Sequence, residues 1–342
     1  MKKNFRLIIL LFLVSAFAFS LKAQTALSEQ QRYRLAADYS AQNNGSAVVV
    51  MKGDKIVFED YENGFTAGIP HFLASGTKSF SGVMAIAAQE DGLLNLDEPV
   101  SETITEWKTD ARRTITIRQL LTLTSGIDVG QNLLPPSFAD SIKYEIKHQP
   151  GETFEYGPVP FQVFGELMRR KLAARGGETV RGYLDRRILN PIGMKIAFWR
   201  KIDGQLDLPG GAFATAAEWA KFGLFLKNGG SWNGKQIVAK KLLDECFVGT
   251  KANPAYGISF WLNHKGISPS GNEVGLRDIV EVNNVPTQFA KDLFWAAGLG
   301  NQRLYVIRSL DLVIVRQGNF GAFDDGEFLG RIILGVKKIK ND

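Results

Sequence analysis

Leu73-Ala74-Ser75-Gly76-Thr77-Lys78-Ser79-Phe80 is the stretch around which the chain is organised. It opens an apolar run in which Phe80, Val83, Met84 and Ala87 recur at the i, i+3, i+4, i+7 spacing of a helix. On that helix Ser75 and Lys78 lie three residues apart, on one face and within reach of each other. A serine at the helix start also sits near free backbone N–H groups and the positive end of the helix dipole. The spacing therefore offers a seat for a nucleophile with lysine as its base. It also fits a capped, solvated helix start, since Ser-x-x-Lys is a weak signal by itself. The rest of the sequence has to decide.

Outward toward the N-terminus, Lys2, Lys3 and Arg6 precede an apolar run from Leu7 to Phe19, and small residues lead to Ala23. A positive n-region, a short apolar core and a small residue at the cut describe a secretory signal peptide over 1–23. The run is shorter than the roughly 18 residues of a membrane span. Export to the periplasm or medium, without a stable span, is the expectation. The whole chain has 342 residues and net charge +6; removing 1–23 takes away four basic residues, leaving 37 basic against 35 acidic, net +2. No basic block remains to suggest nucleic acid. The single cysteine, Cys246, has no intrachain partner and reads as a small buried hydrophobe.

Two β-branched runs, Ala47–Met51 and Lys55–Phe58, joined through Lys52-Gly53-Asp54, predict a hairpin over 46–61. Thr116 caps a short helix ending at Leu121, and 127–160 reads as Gly-, Pro- and Asn-rich loops. A helix is predicted from Phe161 to Leu172, and Thr215-Ala216-Ala217-Glu218 has capping-box form ahead of another. Phe294–Ala297, Arg303–Ile307 and Leu312–Val315 look like consecutive strands. A final helix follows, with Asp324 and Asp325 at its start and Lys337, Lys338 and Lys340 at its end. Strands from both chain ends predict one sheet. The expected division is an α/β lobe (about 24–74 and 250–342) and a helical lobe (about 75–249), with a cleft between them.

The chemistry is narrowed by what is absent. The three histidines, His71, His148 and His264, form no triad spacing with Ser75, and no Gly-x-Ser-x-Gly elbow surrounds it. No histidine, cysteine and carboxylate set has metal-ligand spacing, and no glycine-rich phosphate loop is present. No cofactor is implied. A serine nucleophile here must use lysine or tyrosine as its base. Trp261 and Trp295 read as core residues or as the lining of an apolar pocket.

Several segments then resemble, in order, the serine β-lactamase family, the penicillin-recognising hydrolases that include class C β-lactamases, DD-peptidases, esterases and 6-aminohexanoate-oligomer hydrolases. Ser75-Gly76-Thr77-Lys78-Ser79-Phe80 resembles the first motif, Leu120–Ile127 the "LLTMTSG" segment, and Pro150–Tyr156 the "PGxxFxY" lead-in to the second motif. Asn190–Met194 and the run from Gly210 to Gly234 match further family positions. The resemblance covers roughly residues 46–335. It implies an α+β, β-lactamase-like fold, with an antiparallel sheet from both chain ends flanked by helices and the active site against a mostly helical lobe. It also implies Ser75 as the acylated nucleophile, with Lys78 and Tyr156 as base and proton shuttle. The Ser75 and Leu299 N–H groups would form the oxyanion hole, and Ala296, Ala297, Gly298 and Gln302 would contact substrate. Lys78 would have to be neutral near pH 7, well below the usual value of about 10.4.

Two departures shape the expectation. Where the family usually has Tyr-x-Asn this chain has Tyr156-Gly157-Pro158, and a proline supplies no side-chain amide. Where Lys-Thr-Gly or His-x-Gly is usual it has Ala296-Ala297-Gly298, without the cation that receives a substrate carboxylate. Arg303 is the candidate replacement. The form Ala296–Gln302 is more similar to the esterase and 6-aminohexanoate-oligomer hydrolase branch. The sequence thus predicts a hydrolase of a small-molecule ester or amide. Its rivals are a true β-lactamase or DD-peptidase, and a non-catalytic binding or sensor module on the same fold. The acyl group, leaving group and oligomeric state are not encoded in these motifs.

Overall fold

The computed structural model describes residues 27–130, 134–270, 273–274 and 291–335. The signal segment and Lys337, Lys338 and Lys340 lie outside the described residues. Among the described residues no helix is long and apolar enough to cross a membrane.

A six-stranded antiparallel sheet forms the scaffold. Its strands are β1 (Gly45–Lys52), β2 (Lys55–Tyr61), β3 (Trp261–Leu262), β4 (Leu293–Gly298), β5 (Gln302–Ile307) and β6 (Leu312–Gly318), in the order β3-β4-β5-β6-β1-β2. The two chain ends meet where β1 pairs with β6, Val49 opposite Val315. The expected terminal strands and the hairpin are present. Helices cover both faces, which is why β1 and β6 read as almost unbroken apolar runs rather than alternating ones.

One face carries α1 (Glu29–Gln42) and α5 (Asp325–Ile333), the other α4 (Ala216–Lys227). Gly223 permits the close approach of α4, since a Cβ there would lie 2.4 Å from Val313 and 2.7 Å from Leu304. The Thr215 hydroxyl caps α4 by accepting from the Glu218 N–H. The reciprocal half of the expected box is replaced, because the Glu218 carboxylate accepts from the Lys195 N–H and from Lys221 Nζ.

The helix opened by the central motif is α2 (Lys78–Glu90), and it differs from expectation in two ways. All residues from Lys78 to Ala88 are buried, so α2 is a central helix and not an amphipathic one. Ser75 precedes it in a 3-10 turn, Ala74–Thr77, that has no side-chain cap. Gly76 is packed against the Trp219 ring of α4 and Gly82 against the Ile258 carbonyl, where added Cβ atoms would lie 2.8 and 2.6 Å away. Further along, α3 (Val159–Ala173) begins two residues earlier than its predicted start. The loop region before it contains one short helical turn, Phe138–Ser141.

Candidate active site

Ser75 is presented by a strained turn. Ala74 has φ 46°, in the left-handed region a non-glycine residue seldom adopts. The turn is wedged against the end of β4: a Cβ on Gly298 would lie 2.1 Å from the Leu73 carbonyl oxygen. Only a glycine lets the strand end lie this close to the serine. The Ser75 hydroxyl meets Lys78 Nζ at 3.0 Å instead of capping the helix.

Lys78 is 4 % exposed, and its amine also lies 3.0 Å from the Pro209 carbonyl. Nζ sits over the rings of Tyr156 and Phe161, at 5.0 and 5.5 Å from their centroids. Burial pulls the Lys78 pKa down to about 7, against the opposing pull of the Asp207 carboxylate. The Pro209 carbonyl thus orients the lysine in a chain whose second motif lacks an asparagine amide. Pro158 instead stands at the start of α3. Gly157 has its own steric reason, since a Cβ there would lie 2.5 Å from Val129.

Tyr156 approaches from the loop ahead of α3. Burial raises its phenol to about 12, and hydrogen bonds with Ser75 and Trp261 and the charge of Arg303 only partly oppose this. The phenol therefore keeps its proton at neutral pH while the lysine is poised to lose one. Of the two groups near Ser75, Lys78 is the better base and Tyr156 the better proton donor.

Two cavities flank Ser75, sharing it with Tyr156 and Leu299. The larger, about 690 Å³, is bordered by Lys78, Val129, Pro158, Arg200, Asp207 and Pro209. The smaller, about 440 Å³, lies along β4 and is bordered by Trp261, Trp295, Ala297, Arg303 and Asp325. The expected substrate residues divide between the cavity wall and the interior. Ala297 and Gly298 border the smaller cavity, whereas Ala296 is buried and borders neither. Gln302 is also buried away from both cavities. Its amide donates to the Gly300 and Gly318 carbonyls and its oxygen accepts from the Gly318 N–H, so it holds the β4–β5 turn. Leu299, in that turn, is 57 % exposed.

Arg303 is neither solvated nor free. Nε and Nη2 donate to the Asp325 carboxylate at 2.6 and 3.0 Å, and Nη1 donates to the Gln302 carbonyl at 3.0 Å. The Tyr305 hydroxyl donates to the same carboxylate. Bidentate pairing with Arg303 holds the Asp325 carboxyl below the usual carboxylate range despite burial. An arginine so occupied is a poor receptor for a substrate carboxylate.

Sequence reading also missed Asp207 and Arg200. Asp207 Oδ2 accepts from Arg200 Nε at 2.7 Å and Oδ1 accepts from the Gly210 N–H at 3.1 Å, shaping the turn that carries the Pro209 carbonyl. No local pattern marks a carboxylate whose role is defined by a lysine 129 positions earlier in the chain. Cys246 is buried with its thiol pKa pushed up, as suits a core residue.

Comparisons with known proteins bear on the fold and the family. Protein flp of Staphylococcus aureus is 28% identical over 146 residues, 36% of this chain but only 29% of that protein's length. The 6-aminohexanoate-dimer hydrolase of Paenarthrobacter ureafaciens is 22% identical over 237 residues, 59% of this chain and 57% of its own. Among solved structures, EstCE1, a hydrolase with promiscuous acyltransferase activity, superimposes with a TM-score of 0.67 over 91% of this chain and 99% of its own, at 14% identity, a likeness of fold. A family model described as Beta-lactamase matches residues 31–327, from within α1 to within α5, and by that match the chain belongs to the Beta-lactamase family.

Proposed function

We propose that the chain is an exported serine hydrolase that cleaves an ester or amide through an acyl-enzyme on Ser75. The observation that carries this reading is the buried Lys78 amine, 3.0 Å from Ser75 Oγ with a pKa near 7. In its neutral form that amine accepts the hydroxyl proton as Oγ bonds to the substrate carbonyl carbon. The carbonyl oxygen becomes an oxyanion facing the Ser75 and Leu299 N–H groups. Collapse breaks the bond to the leaving group, which takes the Tyr156 phenol proton while Lys78 resupplies the tyrosine. Water then adds to the acyl carbon, giving its proton back through Tyr156 and Lys78, and Ser75 Oγ leaves protonated. Each cycle consumes one water and regenerates the site. Export rests on the n-region and apolar core of 1–23.

The engagement of Arg303 by Asp325 and the Ala296-Ala297-Gly298 segment speak against efficient β-lactam or D-alanyl peptide turnover. The retained contacts among Ser75, Lys78 and Tyr156 speak against a purely binding role. Intact-mass analysis after a fluorophosphonate probe tests the proposal. One adduct on the wild type and none on Ser75→Ala is the expected result. Labelling of both proteins would move the nucleophile elsewhere, and labelling of neither folded protein would sink the mechanism.

A further inference from the structure

The acyl and leaving halves of the substrate are assigned by where the proton carriers lie. Lys78 borders only the larger cavity, and Tyr156 borders both. The leaving group must receive a proton, and the attacking water must give one up at the same place. In the proposed cycle Tyr156 exchanges that proton and is recharged by Lys78, so the proton route opens on the Lys78 cavity; placing the leaving group and water there puts the acyl group in the cavity along β4. This rests on the acyl-enzyme reading above.

That cavity has a definite chemistry. Its wall is a ladder of rings beginning at the tyrosine beside the nucleophile. Tyr156 stacks on Trp261 at 5.6 Å between centroids and 27° between planes, and Trp261 on Trp295 at 6.4 Å and 23°. Trp261 and Trp295 face one another across β3 and β4 as register partners, so the ladder is fixed by the sheet. At its mouth Leu299 and Phe320 are exposed apolar side chains, 57 % and 69 % accessible. Such residues bordering a cavity favour a ligand that removes them from water.

Arg303, the register partner of Ala297 on the neighbouring strand, and Asp325 also border this cavity. The charges of the pair cancel, and three guanidinium nitrogens and the carboxylate already have partners. A substrate carboxylate placed there would meet the Asp325 charge without displacing it, and a substrate ammonium would meet Arg303. Both signs are penalised, because a charge desolvated without a partner is costly. We propose that the β4 cavity selects an uncharged acyl group with an aromatic or extended apolar body, seated against Trp261 and Trp295, and that Asp325 is the specificity-determining residue that excludes carboxylates by neutralising Arg303.

The test holds the leaving group constant and varies the acyl group. Nitrophenyl esters of acetic, phenylacetic and 4-carboxyphenylacetic acid are compared by kcat/KM. The neutral phenylacetyl ester should exceed both others by about tenfold or more. Phe320→Ala, at an exposed position, and Trp295→Ala should each shrink the phenylacetyl-to-acetyl ratio. Asp325→Asn should raise the carboxylated-to-neutral ratio by freeing Arg303. Should Asp325→Asn fail to fold, Arg303→Met in the Asp325→Asn background removes both charges and keeps the neutral preference testable. Turnover of the carboxylated ester equal to that of its neutral analogue, or ratios unmoved in Phe320→Ala and Trp295→Ala, would overturn the inference. Fluorophosphonate labelling at Ser75 alongside such a result would leave the hydrolase reading standing, while loss of labelling would remove both.

Discussion

Lys78→Met separates the two consequences of burying an amine. In the unfolded chain this lysine titrates near its ordinary 10.5, whereas in the folded protein burial brings it to about 7. Between those values the unfolded state binds more protons than the native state, so the lysine makes stability rise with pH across that window. Below about pH 7 the cost of burying the ammonium is carried in full. At about 1.4 kcal/mol per pH unit, stability gained between pH 7 and 9 amounts to roughly 2–3 kcal/mol. Methionine has similar bulk and no titration, so Lys78→Met lacks this slope. It also leaves the Pro209 carbonyl without its donor, a cost of about 1–3 kcal/mol that does not change with pH. The assay is urea unfolding of both proteins at pH 6, 7.5 and 9. The stability difference, wild type minus variant, should grow with pH, and kcat/KM of the wild type should rise through an apparent pKa near 7. A difference that stays flat across this range would refute the depressed lysine pKa, and with it the assignment of Lys78 as the base.

Three further outcomes follow from the same geometry. Tyr156→Phe keeps the ring stacking on Trp261 and removes the hydroxyl proposed as proton donor, so kcat should fall by about 10²–10⁴-fold with unfolding by denaturant little changed. Asp207→Asn removes the charge that favours protonated Lys78 and retains an oxygen for the Gly210 N–H. The acidic limb of the pH–rate profile should therefore move to lower pH, and a shift to higher pH would contradict the sign of the coupling. Gly298→Ala drives a Cβ to 2.1 Å from the Leu73 carbonyl, which should cost about 1–3 kcal/mol in stability and slow Ser75 labelling by displacing the β4 end.

Local patterns and ordered motifs carried much of the fold and the central residues of the candidate site. The β-branched runs at both ends predicted the sheet, Thr116 and Thr215 marked helix starts, and Ser75, Lys78 and Tyr156 stood in family order. The cap of α1 is local too, with Ser28 and Gln31 bonded reciprocally, but its buried face is Tyr33, Ala36, Ala37 and Ser40. Its stripe is mostly of small residues, which a search for large apolar side chains overlooks. The tertiary structure alone decided that α2 is buried all round, that Gln302 braces a turn, and that Pro209 supplies the carbonyl facing Lys78. It also decided that Asp325, 22 residues beyond Arg303, cancels the charge a carboxylate would need. Such features depend on which side chains meet across the sheet and the cleft. Hydrogen-bond geometry and desolvation are properties of those meetings, so they fix the lysine's pKa and the neutrality of the cavity where no local pattern can.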